Sequence, residues 1–256
     1  MQLETACLSL GIDIGSTTIK YALVDSEKKI IASRYERHKS DVAATLKTLL
    51  TDLHQKHPES GAASVRLSGS GALILAGTTG TRFVQEVVAA GTYLRANDPL
   101  LDVAVELGGE DAKIIYLTQG VELRMNEACA GGTGAFIDQM ASLLDTDPVG
   151  LDWLAENAKR SHPIASRCGV FAKTDVVALL NSGVPREEIA RSIFEAVADQ
   201  AISGLACGRP IAGRVAFLGG PLHFLPQLAL AFERKLKAEK TTFEHFENSQ
   251  YAVAYG

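Results

Sequence analysis

The sequence predicts an α/β fold that contains two copies of one strand–turn–strand unit. The first observation is that Gly11-Ile-Asp-Ile-Gly-Ser16 and Val105-Glu-Leu-Gly-Gly-Glu110 share a pattern, with Asp13 and Glu106 at matching points. The second is that apolar segments with helical periodicity separate the predicted strands. The third is the length of 256 residues, which allows two lobes of ordinary size.

The composition is typical of a soluble globular protein, with 46% hydrophobic and 21% charged residues. The formal net charge of -5 provides no overall basic field for nucleic acid. The N-terminal residues lack the basic region and apolar core of a signal peptide, and no apolar run approaches membrane-spanning length. We therefore expect a cytoplasmic protein with neither nucleic acid nor a membrane as a partner.

The first lobe is predicted over residues 1–95 and opens with a hairpin. Antiparallel strands at this point argue against a Rossmann opening, in which a helix follows the glycines directly. The pattern predicts three strands first, at residues 8–15, 19–25 and 30–35. It then predicts a helix with a Ser or Asp cap at 41–57, a strand at 65–71, a loop at 77–80 and a helix at 83–94.

The second lobe is predicted over residues 96–256 and repeats this opening. Its three strands are predicted at 102–107, 112–117 and 121–124. Helices are predicted after Cys129, at 148–158, from 170 to about 183, and from Pro185, where Glu187 and Glu188 complement the helix dipole. A strand at 214–221 and a helix to about 237 follow, and we expect no clear final helix.

The first hairpin turn is a candidate phosphate site. Small residues at the turn let backbone N–H groups approach a phosphate closely, and hydroxyl groups add donors. Lys20 adds positive charge, and Asp13 is suited to hold Mg²⁺ through water. The predicted contacts at the turn come from Gly15, Ser16, Thr17 and Thr18. A tight hairpin with a solvated Asp is the alternative.

Two further glycine pairs suggest more phosphate contacts. Gly108 and Gly109 follow Glu106, and Gly219 and Gly220 follow the last predicted strand. Each pair alone is also explained by an ordinary turn. Three such turns, two of them preceded by an acid, favour a nucleotide site.

The segment from Asn126 to Asp138 places Cys129 before a glycine-rich turn that leads into a helix. A helix N-terminus favours the thiolate, which is the form that binds metal. The turn has backbone N–H groups available to an anion or to a neighbouring backbone, at Gly132, Thr133 and Gly134. The alternative is a packing turn with a small buried cysteine. The other cysteines are Cys7, Cys168 and Cys207, with no CxxC pair, a pattern more typical of reduced, catalytic or metal-bound thiols than of disulfides.

The order of the three glycine turns resembles that of the superfamily of actin, Hsp70 chaperones and sugar kinases. This resemblance implies two duplicated lobes, each built on a ribonuclease-H-like sheet, with the nucleotide in a cleft between them. Over nearly the whole chain, the sequence also resembles the ATP-dependent activators of 2-hydroxyacyl-CoA dehydratases and the ATPase subunits of benzoyl-CoA reductases. Four motifs carry this resemblance: Gly11-Ile-Asp-Ile-Gly-Ser-Thr-Thr-Ile-Lys20, Glu106-Leu-Gly-Gly-Glu-Asp-Ala-Lys113, Asn126-Glu-Ala-Cys-Ala-Gly-Gly-Thr-Gly-Ala-Phe-Ile-Asp138 and Ser166-Arg-Cys-Gly-Val-Phe-Ala-Lys173.

The resemblance implies a homodimer that hydrolyses ATP and shares one [4Fe–4S] cluster, with Cys129 and Cys168 as ligands from each chain. The ligand count agrees, because such a cluster needs four thiolates and a two-fold axis turns two cysteines per chain into four per dimer. ATP then drives a single electron to a partner iron–sulfur dehydratase or reductase component. The implied electron donor is a low-potential protein such as ferredoxin or flavodoxin. Either Glu106 or Glu110 orients the attacking water, together with Asp13 in the catalytic set.

Two features depart from the family pattern. Glu106 stands where the family usually has Asp, so metal and water positions are expected to shift. The family also usually continues past Gly256 into a final helix that returns to the first lobe, so we expect a fragment or a short member. The alternatives for function are a kinase of the same fold with structural cysteines and a non-catalytic nucleotide-dependent switch.

Overall fold

The computed structural model describes residues 8–118, 120–126, 131–166, 168–237 and 241–256. The chain divides into two compact units, one formed by Met1–Pro99 with Gln250–Gly256 and the other by Leu100–Ser249. Within the described ranges, no helix combines the length and the apolar character that crossing a bilayer requires.

The first unit is organised around a mixed sheet, which has five strands in the described part of the chain. The predicted opening hairpin is confirmed: β1 (Ser9–Ile14), β2 (Thr18–Val24) and β3 (Ile30–Arg37) are antiparallel neighbours. β4 (Ser64–Ser68) lies parallel to β1, and β5 (Arg82–Phe83) lies parallel to β4. The strand order is therefore β3-β2-β1-β4-β5.

The helices of this unit are α1 (Val42–Lys56), α2 (Leu73–Thr79) and α3 (Glu86–Asn97). Asp41 is the cap of α1, because its Oδ1 accepts the N–H of Ala44 at 3.0 Å. The predicted loop at 77–80 is wrong, since residues 77–79 finish α2 and Gly80 ends it in the left-handed conformation. Thr78 and Thr79 donate their hydroxyls to carbonyls one turn earlier, which lets a Gly-Thr-Thr sequence remain helical.

The end of the chain also belongs to this unit, whereas the sequence assigned it to the second lobe and predicted no clear final helix. Residues 252–255 form α10 (Ala252–Tyr255), which packs against α3, β1 and β2. Ala254 lies so close to β1 that a side chain on Gly11 would collide with its carbonyl. The hydroxyl of Tyr255 donates to the carbonyl of Lys28 at 2.9 Å. A four-residue helix is too short to show a periodic pattern, which explains the wrong prediction.

The second unit repeats the strand arrangement of the first. Its hairpin consists of β6 (Val103–Leu107) and β7 (Ala112–Tyr116), and β8 (Glu122–Asn126) continues the antiparallel order. β9 (Arg214–Leu218) is parallel to β6, and β10 (Thr242–Glu244) is parallel to β9. The order β8-β7-β6-β9-β10 in the described residues matches the order of the first sheet, which confirms the predicted duplication.

Helices of the second unit pack beside its sheet and carry the larger core. They are α4 (Gly134–Leu143), α5 (Pro148–Glu156), α6 (Gly169–Asn181), α7 (Arg186–Ala206), α8 (Gly220–Phe224) and α9 (Pro226–Leu236). The apolar stripe of α7 is buried as predicted, with Ile189, Ile193 and Val197 inside. The single helix predicted up to residue 237 is instead two helices, because Pro226 cannot continue the hydrogen bonding of α8.

Candidate functional site

The first hairpin places a buried ion pair at the end of β1. Asp13 is 3% exposed and lies opposite Lys20 in the β1–β2 register. The ammonium of Lys20 donates to Oδ2 of Asp13 at 2.7 Å. The ammonium of Lys20 also lies 5.5 Å from the centre of the Tyr35 ring, and its predicted contact with a phosphate stays a prediction.

The turn of this hairpin is held closed and supported from behind. Its backbone closes through the N–H of Gly15 and the carbonyl of Thr18, at 2.9 Å. The backbone N–H of His38 donates to the carbonyl of Thr17 at 3.2 Å, and ring Nε2 of His38 lies 3.2 Å from the carbonyl of Gly15. Nothing in the sequence pattern singled out His38, since a lone histidine after a strand carries no local signal.

β4 brings a second unpredicted residue beside Asp13. Ser68 pairs with Asp13 in the parallel β1–β4 register, so the two side chains emerge on the same face of the sheet. Ser68 is 4% exposed, and its hydroxyl has no hydrogen-bond partner in the part of the chain that the structure describes. The next residue, Gly69, has φ +94°, and a side chain there would collide with Asp13 and with the carbonyl of Ile14.

The second hairpin repeats the first with more negative charge. Glu106 and Lys113 are buried and lie opposite one another in the β6–β7 register. The ammonium of Lys113 is 2.6 Å from Oδ2 of Asp111 and 3.6 Å from Oε1 of Glu106. The turn closes through the N–H of Gly108 and the carbonyl of Asp111 at 2.9 Å, as in the first hairpin. Glu110 is exposed, so the two predicted water-orienting acids occupy different environments.

The start of α4 is bound directly to the second hairpin. The N–H of Gly134 donates to the carbonyl of Gly108 at 3.0 Å, and the N–H of Ala135 donates to the carbonyl of Gly109 at 2.7 Å. Of the two partners predicted for the N–H of Gly134, the structure therefore shows the neighbouring backbone. Gly132 has φ +82°, Thr133 is fully buried, and their predicted role in binding an anion stays a prediction.

The N-terminus of α6 follows Cys168 and lies beside Gly131 and Phe136. Cys129 lies outside the described residues, and Cys168 is a free, half-buried thiol at the cap of α6. A Cβ atom placed on Gly169 would lie 3.4 Å from the ring of Phe136 and 3.9 Å from Cα of Gly131. The residue after Cys168 therefore lies against the turn that follows Cys129. Among the described residues, no group of three or more His, Cys, Asp or Glu side chains is arranged to hold a metal ion.

The segment before Cys168 is anchored to α7. Oε2 of Glu188 accepts from Nε of Arg160 and lies 2.8 Å from Nε2 of His162, and the hydroxyl of Ser192 accepts from the N–H of His162 at 2.7 Å. Hydrogen bonds from Arg160 and His162 lower the pKa of Glu188 below its ordinary value. Glu188 lies in the first turn of α7 as predicted, and it also fixes the approach to Cys168.

The third glycine turn joins β9 to α8. Gly219 has φ +88°, and a side chain there would collide with the carbonyl of Leu107 on the neighbouring strand. Gly220 is buried at the start of α8. Nδ1 of His223 lies 3.0 Å from the hydroxyl of Ser249, and burial lowers the pKa of His223. Whether Gly219 and Gly220 contact a nucleotide stays a prediction.

Comparisons with known proteins agree with this geometry. The model of the BadF/BadG/BcrA/BcrD ATPase family matches residues 10–256. The (R)-2-hydroxyglutaryl-CoA dehydratase activating ATPase of Acidaminococcus fermentans is 30% identical over 217 residues, which cover 83% of this chain and 82% of that protein. The crystal structure of component A of the same organism's (R)-2-hydroxyglutaryl-CoA dehydratase has a TM-score of 0.87 at 25% identity and covers 98% of this chain and 95% of that chain.

A second solved structure supports the fold. The activator of the 2-hydroxyisocaproyl-CoA dehydratase from Clostridium difficile, with bound ADPNP, has a TM-score of 0.83 at 24% identity and covers 97% of this chain and 91% of that chain. A ROK family glucokinase from Streptomyces griseus also shares the fold, with a TM-score of 0.52 at 14% identity and coverage of 97% of each chain. The sugar-kinase-like fold that the sequence predicts is therefore confirmed.

Proposed function

The chain belongs to the BadF/BadG/BcrA/BcrD ATPase family, and from this premise we propose that it is an ATP-hydrolysing activator of a 2-hydroxyacyl-CoA dehydratase or related reductase. The single observation that carries the proposal is the contact chain in the second unit. There, the turn of the second hairpin is bonded to the start of α4, and the turn before α4 lies against the residue after Cys168. The proposed nucleotide site and the proposed thiol site therefore share one short stretch of backbone.

ATP is bound by the two hairpin turns. The first turn offers the hydroxyls of Ser16, Thr17 and Thr18 and suits the phosphate oxygens directly. The second turn carries Asp111, which is paired with Lys113, and the exposed Glu110, whose negative charge would repel a phosphate unless a cation lay between them. Asp13 and Glu106 are the carboxylates suited to hold Mg²⁺ through water, and the ion would there neutralise charge on the transferring phosphoryl group.

Cys129 and Cys168 are the proposed ligands of a [4Fe–4S] cluster shared by two copies of the chain. Two thiolates from each copy complete the four that the cluster requires. Cys168 suits this role because it is half-buried and caps a helix N-terminus, where the dipole favours thiolate. Val170 and Phe171, two and three residues after Cys168, are 72% and 65% exposed. A second copy seated at this point would cover that apolar surface.

A cluster held by Cys129 and Cys168 would supply a site for a single electron from a low-potential donor such as ferredoxin or flavodoxin, destined for an iron–sulfur centre of the dehydratase or reductase component. Hydrolysis of ATP to ADP and phosphate would supply the free energy for this uphill transfer. For this to work, the nucleotide must bind two conformations of the protein with different affinity. The hydrogen bonds of Gly134 and Ala135 connect a change at the second hairpin to the segment that follows Cys129.

Anaerobic purification and iron analysis test the proposal. The wild-type protein is expected to be a brown dimer with about two iron atoms per chain, which is half of a four-iron cluster. Cys129→Ala and Cys168→Ala should each lose iron and loosen the dimer, because one substitution removes two ligands from the shared cluster. Cys7→Ala and Cys207→Ala are the matched controls and should keep their iron. A colourless wild-type protein, as the kinase alternative predicts, or full iron in Cys168→Ala would refute the proposal.

A further inference from the structure

His38 follows β3 and is 7% exposed. Its ring lies between two backbone groups. The N–H of Ser40 donates to Nδ1 at 3.1 Å, and Nε2 lies 3.2 Å from the carbonyl of Gly15. A ring nitrogen that accepts a hydrogen bond from an N–H carries no proton of its own. Nδ1 is therefore unprotonated, and the proton of the neutral ring is on Nε2. The ring therefore donates to the carbonyl of Gly15.

The backbone after His38 is strained into this arrangement. Lys39 and Ser40 have φ values of 46° and 68°, in the left-handed region that residues with side chains rarely adopt. The N–H of Asp41 closes the turn onto the carbonyl of His38 at 2.7 Å. Strain of this kind persists where the surrounding structure holds it, often at functional sites.

Fixing the carbonyl of Gly15 also fixes a donor. The peptide unit between Gly15 and Ser16 is planar, and in a trans peptide the carbonyl and the N–H point in opposite directions. Because the carbonyl of Gly15 is directed at His38, the N–H of Ser16 is directed away from it. A directed N–H at a turn of small residues is what an anion site requires.

The second hairpin supplies an independent parallel. Gly15 follows Asp13 by the same spacing at which Gly108 follows Glu106. The carbonyl of Gly108 is held at 3.0 Å by the backbone N–H of Gly134. The same carbonyl is thus held in both hairpins, by a helix N-terminus in the second and by a histidine side chain in the first.

We propose that His38 is a positioning residue of the first phosphate turn, which it holds so that the N–H of Ser16 faces a phosphate of the bound nucleotide. The proposal rests on the ATP site proposed above. His38 touches neither nucleotide nor metal and acts only through the peptide between Gly15 and Ser16.

Two substitutions separate this role from a structural one. In His38→Gln, the side-chain amide nitrogen takes the approximate place of Nε2, which keeps the donor to Gly15 and removes the acceptor for Ser40. In His38→Asn, the side-chain amide takes the approximate place of Nδ1, which keeps the acceptor for Ser40 and removes the donor to Gly15. Mg-ATP affinity and the kcat and KM of hydrolysis are measured for both variants and for the wild type.

We expect His38→Asn to bind Mg-ATP about threefold to tenfold more weakly, the equivalent of one neutral hydrogen bond, and His38→Gln to bind close to wild type. The loss should appear in KM more than in kcat. Equal affinity in both variants, or a loss in Gln alone, would overturn the positioning role. Failure of the wild type to bind Mg-ATP would instead overturn the proposed function.

A second measurement needs no variant. Histidine-selective ¹⁵N NMR of the wild-type protein without nucleotide reports which ring nitrogen carries the proton. The Nε2–H tautomer is expected for His38, and the Nδ1–H tautomer would contradict the donation to Gly15 even if both variants failed to fold.

Discussion

The two hairpins share a scaffold but differ in what they present. In each, a buried acid lies opposite a lysine, and a glycine two residues after the acid closes the turn. In each, the strand parallel to the first ends at a glycine with φ near +90°, Gly69 or Gly219, which only a residue without a side chain fits. The duplicated part is therefore the backbone geometry at the end of the sheet.

The turns themselves have diverged in charge. The first presents Ser16, Thr17 and Thr18, and the second presents Glu110 and Asp111. The same backbone turn thus carries hydroxyl donors in one unit and carboxylates in the other. Under the proposed function, the first hairpin would bind phosphate directly and the second would bind it through a cation.

The support behind each turn has diverged as well. The first hairpin is held by the side chain of His38, inside its own unit. The second is held by the backbone of Gly134 and Ala135, at the helix that follows Cys129. We therefore expect a disturbance of the second turn to reach the start of α4, which follows Cys129 in sequence, and we expect no such effect by this route from the first turn.

The largest expected difference between the hairpins concerns their lysines. The Lys113 side chain is 5% exposed and lies between Glu106 and Asp111, whereas the Lys20 side chain is 16% exposed and pairs with Asp13. Lys113→Met should lower the free energy of unfolding by about 3–5 kcal/mol, because it removes the cation that lies between the buried carboxylate of Glu106 and the half-buried carboxylate of Asp111. Lys20→Met should lower the free energy of unfolding by less, because it affects one carboxylate and because water reaches the Lys20 side chain. Urea unfolding of both variants checks this order, and an equal or reversed order would contradict the structural ranking.

A smaller effect on the free energy of unfolding is expected from the strand neighbours of Asp13 and Glu106, which differ between the two sheets. Ser68 lies next to Asp13, and the equivalent neighbour of Glu106 is the fully buried Leu218. Because the Ser68 hydroxyl has no partner among the described residues, Ser68→Ala should raise the free energy of unfolding of the nucleotide-free protein by about 1 kcal/mol.

Ser192→Ala is the matched control for this prediction. Ser192 is equally buried, but its hydroxyl accepts from His162 and donates to the carbonyl of Glu188. Its loss should lower the free energy of unfolding by about 1–2 kcal/mol. If both serine variants changed stability in the same direction, the unpartnered hydroxyl would not be the cause.

The sequence was sufficient for the features that depend on local pattern. Buried runs that end in an acid and glycine predicted both hairpins, and the stripe of α7 followed from its period. The pairing of Asp13 with Lys20 was not predicted, because it depends on the register between strands. The contact of His38 with Gly15 was not predicted either, since the two residues meet only once β3 has folded beside β2.

Two wrong assignments have local causes. Gly-Thr-Thr at 77–79 looks like a loop by composition, yet its backbone completes the last turn of α2 before Gly80 ends the helix. Residues 250–256 follow a strand of the second unit in sequence, yet they pack on β1 of the first. A change of unit over so few residues leaves no compositional mark.

The rate at which a chelator removes iron tests most directly the claim that the second hairpin couples the nucleotide to the cysteine segment. The anaerobically purified protein is mixed with an iron chelator in the presence of Mg-ADP or of Mg-ADPNP, and the loss of colour is followed. A cluster held at the contact between two chains is more accessible when ATP changes that contact, and exposure governs its reactivity. The account predicts faster iron loss with ADPNP than with ADP. Equal rates in both nucleotide states, with an unchanged reduction potential, would contradict it.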